Sequence, residues 1–285
     1  MPVPIPEALA AHGDAAVTKT AQVRTQPLRY LLLSALAGAF VGIAVVLLLS
    51  VGGPFAAAAS PFAKLIMGAV FGVALTLVVF AGAELFTGNV MVMLQGLMAR
   101  RVSGRDLALV WVGSLVGNIV GSIGFAALVH GGGTLDGGPG AALVASLTAA
   151  KDAASGPQLL WRSVLCNLLV CLGLWMAART KSDVAKLVVL WWALLAFIAS
   201  GFEHSIANAT LFSIGVFEGS ADWSMLVRNL AWTVPGNVLG GGLLVGLAYG
   251  WVGRPVTTPP TPNVVASPAA APTTPAVAER EPVPA

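Results

Sequence analysis

Residues 82–89 read GAELFTGN and residues 201–208 read GFEHSIAN. Laid one over the other, they place Gly82 on Gly201, Glu84 on Glu203 and Asn89 on Asn208, an offset of 119 residues. The same offset carries GNIVG (117–121) onto GNVLG (236–240), so Gly117, Asn118 and Gly121 meet Gly236, Asn237 and Gly240. Two separate motifs sharing one offset argue for a duplicated unit.

Each copy of the polar motif lies inside an apolar run. Such runs cover residues 30–51, 62–98, 107–130, 158–178, 184–217 and 225–252, and about 20 apolar residues suffice for one membrane crossing. The chain is 57% hydrophobic and only 9% charged, with a mean hydropathy of +0.86, which excludes an ordinary soluble domain. The expectation is an all-α membrane protein of six crossings. The repeat unit then holds three crossings, an odd number, so the second copy enters from the opposite side and the halves form inverted repeats. The second and fifth runs are oversized and carry the polar motif at corresponding places, which predicts a broken helix in each half and a site between them. Irregular backbone at that depth is tolerated only where it is buried in protein or lines a cavity.

Basic residues assign the sides. Lys19, Arg24 and Arg29 precede the first run, Arg100, Arg101 and Arg105 join the second to the third, Arg179, Lys181 and Lys186 join the fourth to the fifth, and Arg254 follows the sixth. An excess of Lys and Arg in short loops marks the cytoplasmic side, so both termini are expected there, in the inner membrane. The remaining loops hold Lys64, Lys151, Arg162 and Arg228 among Asp136, Asp152, Glu218 and Asp222. These charges are dispersed and form no nucleic-acid patch. Three segments follow: a cytoplasmic lead (1–26) with a weak surface-helix pattern, the membrane domain (27–253), and a Pro/Ala-rich tail (254–285) expected to be disordered. No cleavable leader is visible, because the first apolar run starts near residue 30 and is long enough to span. Glycines four apart, Gly38 and Gly42, Gly68 and Gly72, Gly113 with Gly117 and Gly121, and Gly236 with Gly240, predict close helix contacts in lipid.

Of the three histidines, His204 alone lies in the interior of a core run, His130 being the last residue of the third. An imidazole holds or releases a proton near neutral pH, so at a helix break it can meet an anion or hand it a proton. Glu84 and Glu203 occupy equivalent positions, and that symmetry favours a scaffolding role in which the carboxylates accept hydrogen bonds near the break. Asn89 and Asn208 are expected to cap or bridge the halves of each broken span. Thr87 falls opposite Ile206 and Leu85 opposite His204, so the site is asymmetric. Half-helices that begin at the breaks aim their positive ends inward, which favours an anion. The two cysteines, Cys166 and Cys171, point to different faces of one helix and read as packing. No metal or cofactor set is present at ligand spacing.

AGAELFTGN followed by ASGFEHSIANATLF resembles the paired signature of the formate/nitrite transporter family, and the resemblance runs from about residue 25 to residue 253. WWALLAFIASGFEHSIANATLF (191–212) is closer to the nitrite branch than to the formate or hydrosulfide branches. The resemblance implies a homopentamer of aquaporin-like protomers, each with its own pore for small monovalent anions, nitrite first and formate second. It further implies that Phe71, Leu75 and Phe197 form a periplasmic constriction and that Leu85 and Val170 narrow the cytoplasmic side. Thr87, His204 and Asn167 become the polar groups of a central chamber, and Lys151 matches a lysine that draws anions into the outer vestibule. Three other readings compete. A water or ammonium pore lacks support, since neither Asn89 nor Asn208 is followed by Pro-Ala. An intramembrane enzyme using His204 with Ser205 or Glu203 would need neighbours in sequence to face each other as nucleophile and base, which normally come from separate elements. A purely structural membrane protein leaves the duplicated polar motif unexplained.

Overall fold

The computed structural model describes residues 1–254, and the Pro/Ala-rich tail lies outside them from residue 255 onward. Among the described residues every regular element is helical. α1 (Ile5–Thr25) and α2 (Pro27–Ala57) are followed by α3 (Ala63–Phe71) and α4 (Val73–Leu77). A π-helical turn, Val78–Gly82, then leads into α5 (Phe86–Met98). Next come α6 (Gly104–Gly131), α7 (Gly138–Ala153), α8 (Gly156–Ala178), α9 (Asp183–Ala199), α10 (Ser205–Phe217) and α11 (Trp223–Val238). The last runs through a π-helical segment, Leu239–Leu247, into α12 (Ala248–Val252).

Among the described residues, five stretches are long and apolar enough to cross a bilayer: Pro27–Ala57, Ala63–Gly82, Gly104–Gly131, Gly156–Ala178 and Trp223–Val252. The apolar run over 184–217 is instead shared between α9, of 17 residues, and α10, of 13. α5 is likewise 13 residues long, too short to span alone. Side chains facing outward from the bundle include Leu32, Val112, Val120, Trp192 and Leu243, a surface that suits hydrocarbon rather than water.

Backbone contact between helices replaces side-chain interdigitation at several places. A methyl group on Gly38 of α2 or Gly121 of α6 would strike the carbonyl of Asn118 or Ala35 respectively. α11 meets α8 in the same manner, with Gly236 against the Leu160 carbonyl and Gly240 against that of Val164. Such approach gains dispersion where the hydrophobic effect contributes nothing between helices in lipid.

Two elements differ from the sequence reading. The loop between the third and fourth apolar runs contains α7, whose Leu143, Val144 and Thr148 are buried. Its glycine-rich start, with φ of +62°, +68° and +70° at Gly133, Gly137 and Gly138, hides the helix that follows. The weak pattern of residues 1–26 proves to be a 21-residue helix that buries Ala8, Gly13 and Ala16. Arg101 anchors it through Asp14 at 2.6 Å.

Candidate functional site

The chain leaves helical geometry at two glycines. Gly82 has φ +78° and Gly201 has φ +73°, a region that glycine alone enters without strain. At the second, the Phe202 N–H donates to the Phe197 carbonyl and the Gly201 N–H to that of Ile198, which closes α9 with a Schellman motif. Leu85 and His204 are extended and immediately precede α5 and α10.

Each interruption frees backbone groups that must find partners away from water, and the two sets of partners correspond. Asn118 of α6 donates to the carbonyls of Glu84 at 2.8 Å and Ser34 at 2.7 Å and accepts from the Phe86 N–H at 2.8 Å. Asn237 of α11 donates to the carbonyls of Glu203 at 3.1 Å and Ser163 at 2.8 Å and accepts from the Ser205 N–H at 2.9 Å. The Glu84 and Glu203 N–H groups donate to the carbonyls of Leu33 and Arg162, both at 3.2 Å. The bridging expected of Asn89 and Asn208 is thus performed by Asn118 and Asn237. Asn89 and Asn208 sit one turn inside their helices, and their amides turn to the neighbouring carboxylates, Glu84 at 3.0 Å and Glu203 at 2.7 Å.

Those carboxylates are neutralised by lysines from the helices that lie outside the crossing runs. Lys19 of α1 lies 2.6 Å from Glu84 Oε2, and Lys151 of α7 lies 2.6 Å from Glu203 Oε2. A buried carboxylate requires a partner of this kind. Lys19 and its pairing with Glu84 were not anticipated from the sequence.

Three cavities are arranged in series. One of about 190 Å³, called outer after the side that the loop charges predict, is lined by Lys151, Arg162, Phe71, Phe197, Glu203 and His204. An inner one of about 580 Å³ is lined by His12, Lys19, Val78, Glu84, Leu85 and Lys186 among others. Between them lies a cavity of about 10 Å³ walled by Phe71, Leu75, Leu85, Val170, Phe197 and His204, completed by Val41, Ala74 and Leu194. That space admits about one water molecule, and His204 supplies its only polar side chain. Phe71 meets Phe197 edge-to-face at 5.5 Å, and Phe197 stacks on the His204 ring at 5.9 Å.

His204 caps α10: its Nδ1 accepts from the Ala207 N–H at 3.2 Å. The neutral ring therefore carries its proton on Nε2, which lies 3.2 Å from Thr87 Oγ1 and donates to it. Asn167 is directed at backbone: its amide donates to the carbonyls of Thr87 at 3.1 Å and Asn237 at 2.7 Å. It holds the start of α5 against α11 from behind the chamber. The structure thus brings Phe71, Leu75, Phe197, Leu85, Val170 and His204 to one cavity with Thr87 beside it. Lys151 lies on the outer cavity, and Glu84, Glu203, Asn89 and Asn208 form the two flanking polar clusters.

The description "Formate/nitrite transporter" matches residues 6–251. A nitrite transporter NirC of Salmonella typhimurium is 42% identical over 253 residues, covering 86% of this chain and 90% of its own length. A solved structure described as an FNT family ion channel superposes with a TM-score of 0.81 at 38% identity, covering 87% of this chain and 99% of that one. A pentameric formate channel with formate bound superposes with a TM-score of 0.67 at 27% identity, over 79% and 96%. A match along nearly the whole described chain, joined to several long apolar helices, makes this a multi-pass membrane protein, and the chain belongs to the formate/nitrite transporter family.

Proposed function

We propose that the chain carries nitrite across the cytoplasmic membrane, as a homopentamer in which each protomer has its own pore. In this reading the six apolar runs make six crossings, the halves are inverted three-crossing repeats of aquaporin-like form, and α3–α5 and α9–α10 are the two broken spans. Both termini lie on the cytoplasmic side, where the basic loops gather. The observation that carries the reading is the single-water chamber with His204 on its wall, set between two cavities that each bear cations. Nitrite leads over formate because a nitrite transporter is 42% identical, against 38% for a probable formate transporter and 36% for a formate channel.

The route poses a physical difficulty. A bare anion loses its hydration at the rings of Phe71, Leu75 and Phe197 on one side and Leu85 and Val170 on the other, and desolvating a charge is costly. Lys151 meets the anion in the outer vestibule, and the positive N-terminal ends of α5 and α10 converge on the chamber. There the anion faces the His204 Nε2–H and the Thr87 hydroxyl. Transfer of a proton to the anion would let it leave as a neutral small acid. For His204 to be the donor, its ring must take a second proton on Nδ1 and release the Ala207 N–H that it caps.

Uptake of nitrite and formate into liposomes holding the purified protein, measured side by side across pH, tests the proposal. Nitrite is expected to move faster, with uptake rising as pH falls. Formate moving equally well would widen the substrate to small monovalent anions. A His204→Asn protein that keeps proton-coupled uptake with an unchanged pH profile would defeat the protonation step. An enzymatic use of His204 with Ser205 or Glu203 finds no support in the geometry. The two ring nitrogens meet the Ala207 N–H and Thr87 Oγ1, and the Glu203 carboxylate meets Lys151 and Asn208.

A further inference from the structure

Resting on that reading as an anion pore, we infer that Arg162 supplies the long-range charge that draws substrate to the outer mouth, while Lys151 acts only at close range. Arg162 lies near the start of α8, lines the outer cavity beside Lys151 and Glu203, and is exposed. Lys151 Nζ and Glu203 Oε2 are 2.6 Å apart, with side chains 17% and 3% exposed. Seen from the vestibule, that pair is a dipole whose field fades quickly with distance. Arg162 has no carboxylate within ion-pair distance among the described residues. The outer cavity therefore holds one uncompensated positive charge, and a guanidinium carries it at any physiological pH.

The inner mouth differs at the equivalent place. The Glu203 N–H donates to the Arg162 carbonyl just as the Glu84 N–H donates to the Leu33 carbonyl, so Leu33 stands where the outer half has Arg162. Leu33 also lines the inner cavity. The lysines there are both engaged, Lys19 with Glu84 at 2.6 Å and Lys186 with Asp183 at 2.9 Å. The fold is near-symmetric at this depth, and its charge is not. An exposed cation in a concave mouth raises the local concentration and arrival rate of anions, and added salt screens the effect.

The test uses the full-length protein in liposomes sorted for one orientation, with nitrite as the probe, at low and high ionic strength. Arg162→Gln is expected to raise the half-saturating concentration for flux starting at the outer mouth by roughly three- to tenfold at low ionic strength. High ionic strength shrinks the difference to less than about twofold, Arg162→Lys keeps most of the native behaviour, and flux starting at the inner mouth is little changed. The inference is overturned by a half-saturating concentration equal to that of the native chain at low ionic strength. It is overturned as well by a loss that persists at high salt, one that is equal in both directions, or an Arg162→Lys defect as large as that of Arg162→Gln. If Arg162→Gln does not reach the membrane folded, Arg162→Met is read in its place, and a half-saturating concentration at the outer mouth equal to the native one at low ionic strength ends the idea. A native chain that carries no nitrite removes the pore reading itself. Native nitrite flux matched by Arg162→Gln removes only this role.

Discussion

Asn237 illustrates how one side chain can replace a missing turn of helix. It satisfies the Glu203 and Ser163 carbonyls and the Ser205 N–H, and each buried backbone group left unpaired costs about 1–3 kcal/mol. Asn237→Ala is therefore expected to destabilise the protein by about 2 kcal/mol or more, read as a lowered thermal midpoint in detergent. Surface substitutions on α11 should leave that midpoint unmoved. Gly201 and Gly240 separate two reasons for glycine. Nothing lies within 4 Å of a methyl group added at Gly201, so Gly201→Ala costs only the left-handed backbone strain, about 1–2 kcal/mol. Gly240→Ala drives a methyl into the Val164 backbone and should cost more, since α8 and α11 must part. A ranking with Gly201→Ala the worse of the two would contradict this account. The motif offset made Asn118 and Asn237 visible as partners in the repeat. What they bond was not legible, because an amide that bonds main-chain atoms 32 and 34 residues away leaves no local pattern.

At the scale of elements, α1 and α7 perform one task from unequal positions in the chain. Each lays a lysine on the carboxylate at an interruption, across 65 residues for Lys19 and Glu84 but 52 for Lys151 and Glu203. That inequality explains why a fixed offset of 119 residues finds the glutamates and misses Lys19. α1 also carries His12, whose Nδ1 lies 2.6 Å from Gln95 Oε1 and whose ring packs edge-on to Trp175 at 5.5 Å. Burial holds the His12 imidazole below its ordinary value of 6.5, opposed by the hydrogen bond with Gln95 and reinforced by nearby Lys19. A docked α1 therefore prefers the neutral ring. This contribution to docking is complete above about pH 6.5 and is lost as pH falls through the lower docked value. Amide exchange over residues 5–25, corrected for its intrinsic rate, should quicken on mild acidification, and His12→Gln should remove that response. Exchange indifferent to pH would count against it.

For the molecule as a whole, an all-helical membrane fold was legible because hydrocarbon imposes length and apolarity on each helix, and both are written directly in the composition. The side chains around the chamber were named through family resemblance. Apolar residues such as Leu75 and Val170 carry no sign in a sequence of whether they face a pore, a neighbouring helix or lipid. Their convergence on one cavity gives a direct prediction. Leu85→Ala combined with Val170→Ala opens the inner wall of the chamber, and a bulkier carboxylate such as lactate should then pass severalfold faster relative to nitrite in liposome uptake. An unchanged ratio would place the narrowest point elsewhere. The size of that chamber has one more consequence. A hydrogen-bonded file of water conducts protons by hopping, and it requires several molecules in mutual contact. A space of about 10 Å³ bounded by Phe71, Leu75, Leu85, Val170, Phe197 and His204 holds no such file, so a proton crosses it only on the His204 ring or on the substrate. In the protonation reading, protons then cross with substrate, one for each neutral acid, rather than as a standing leak.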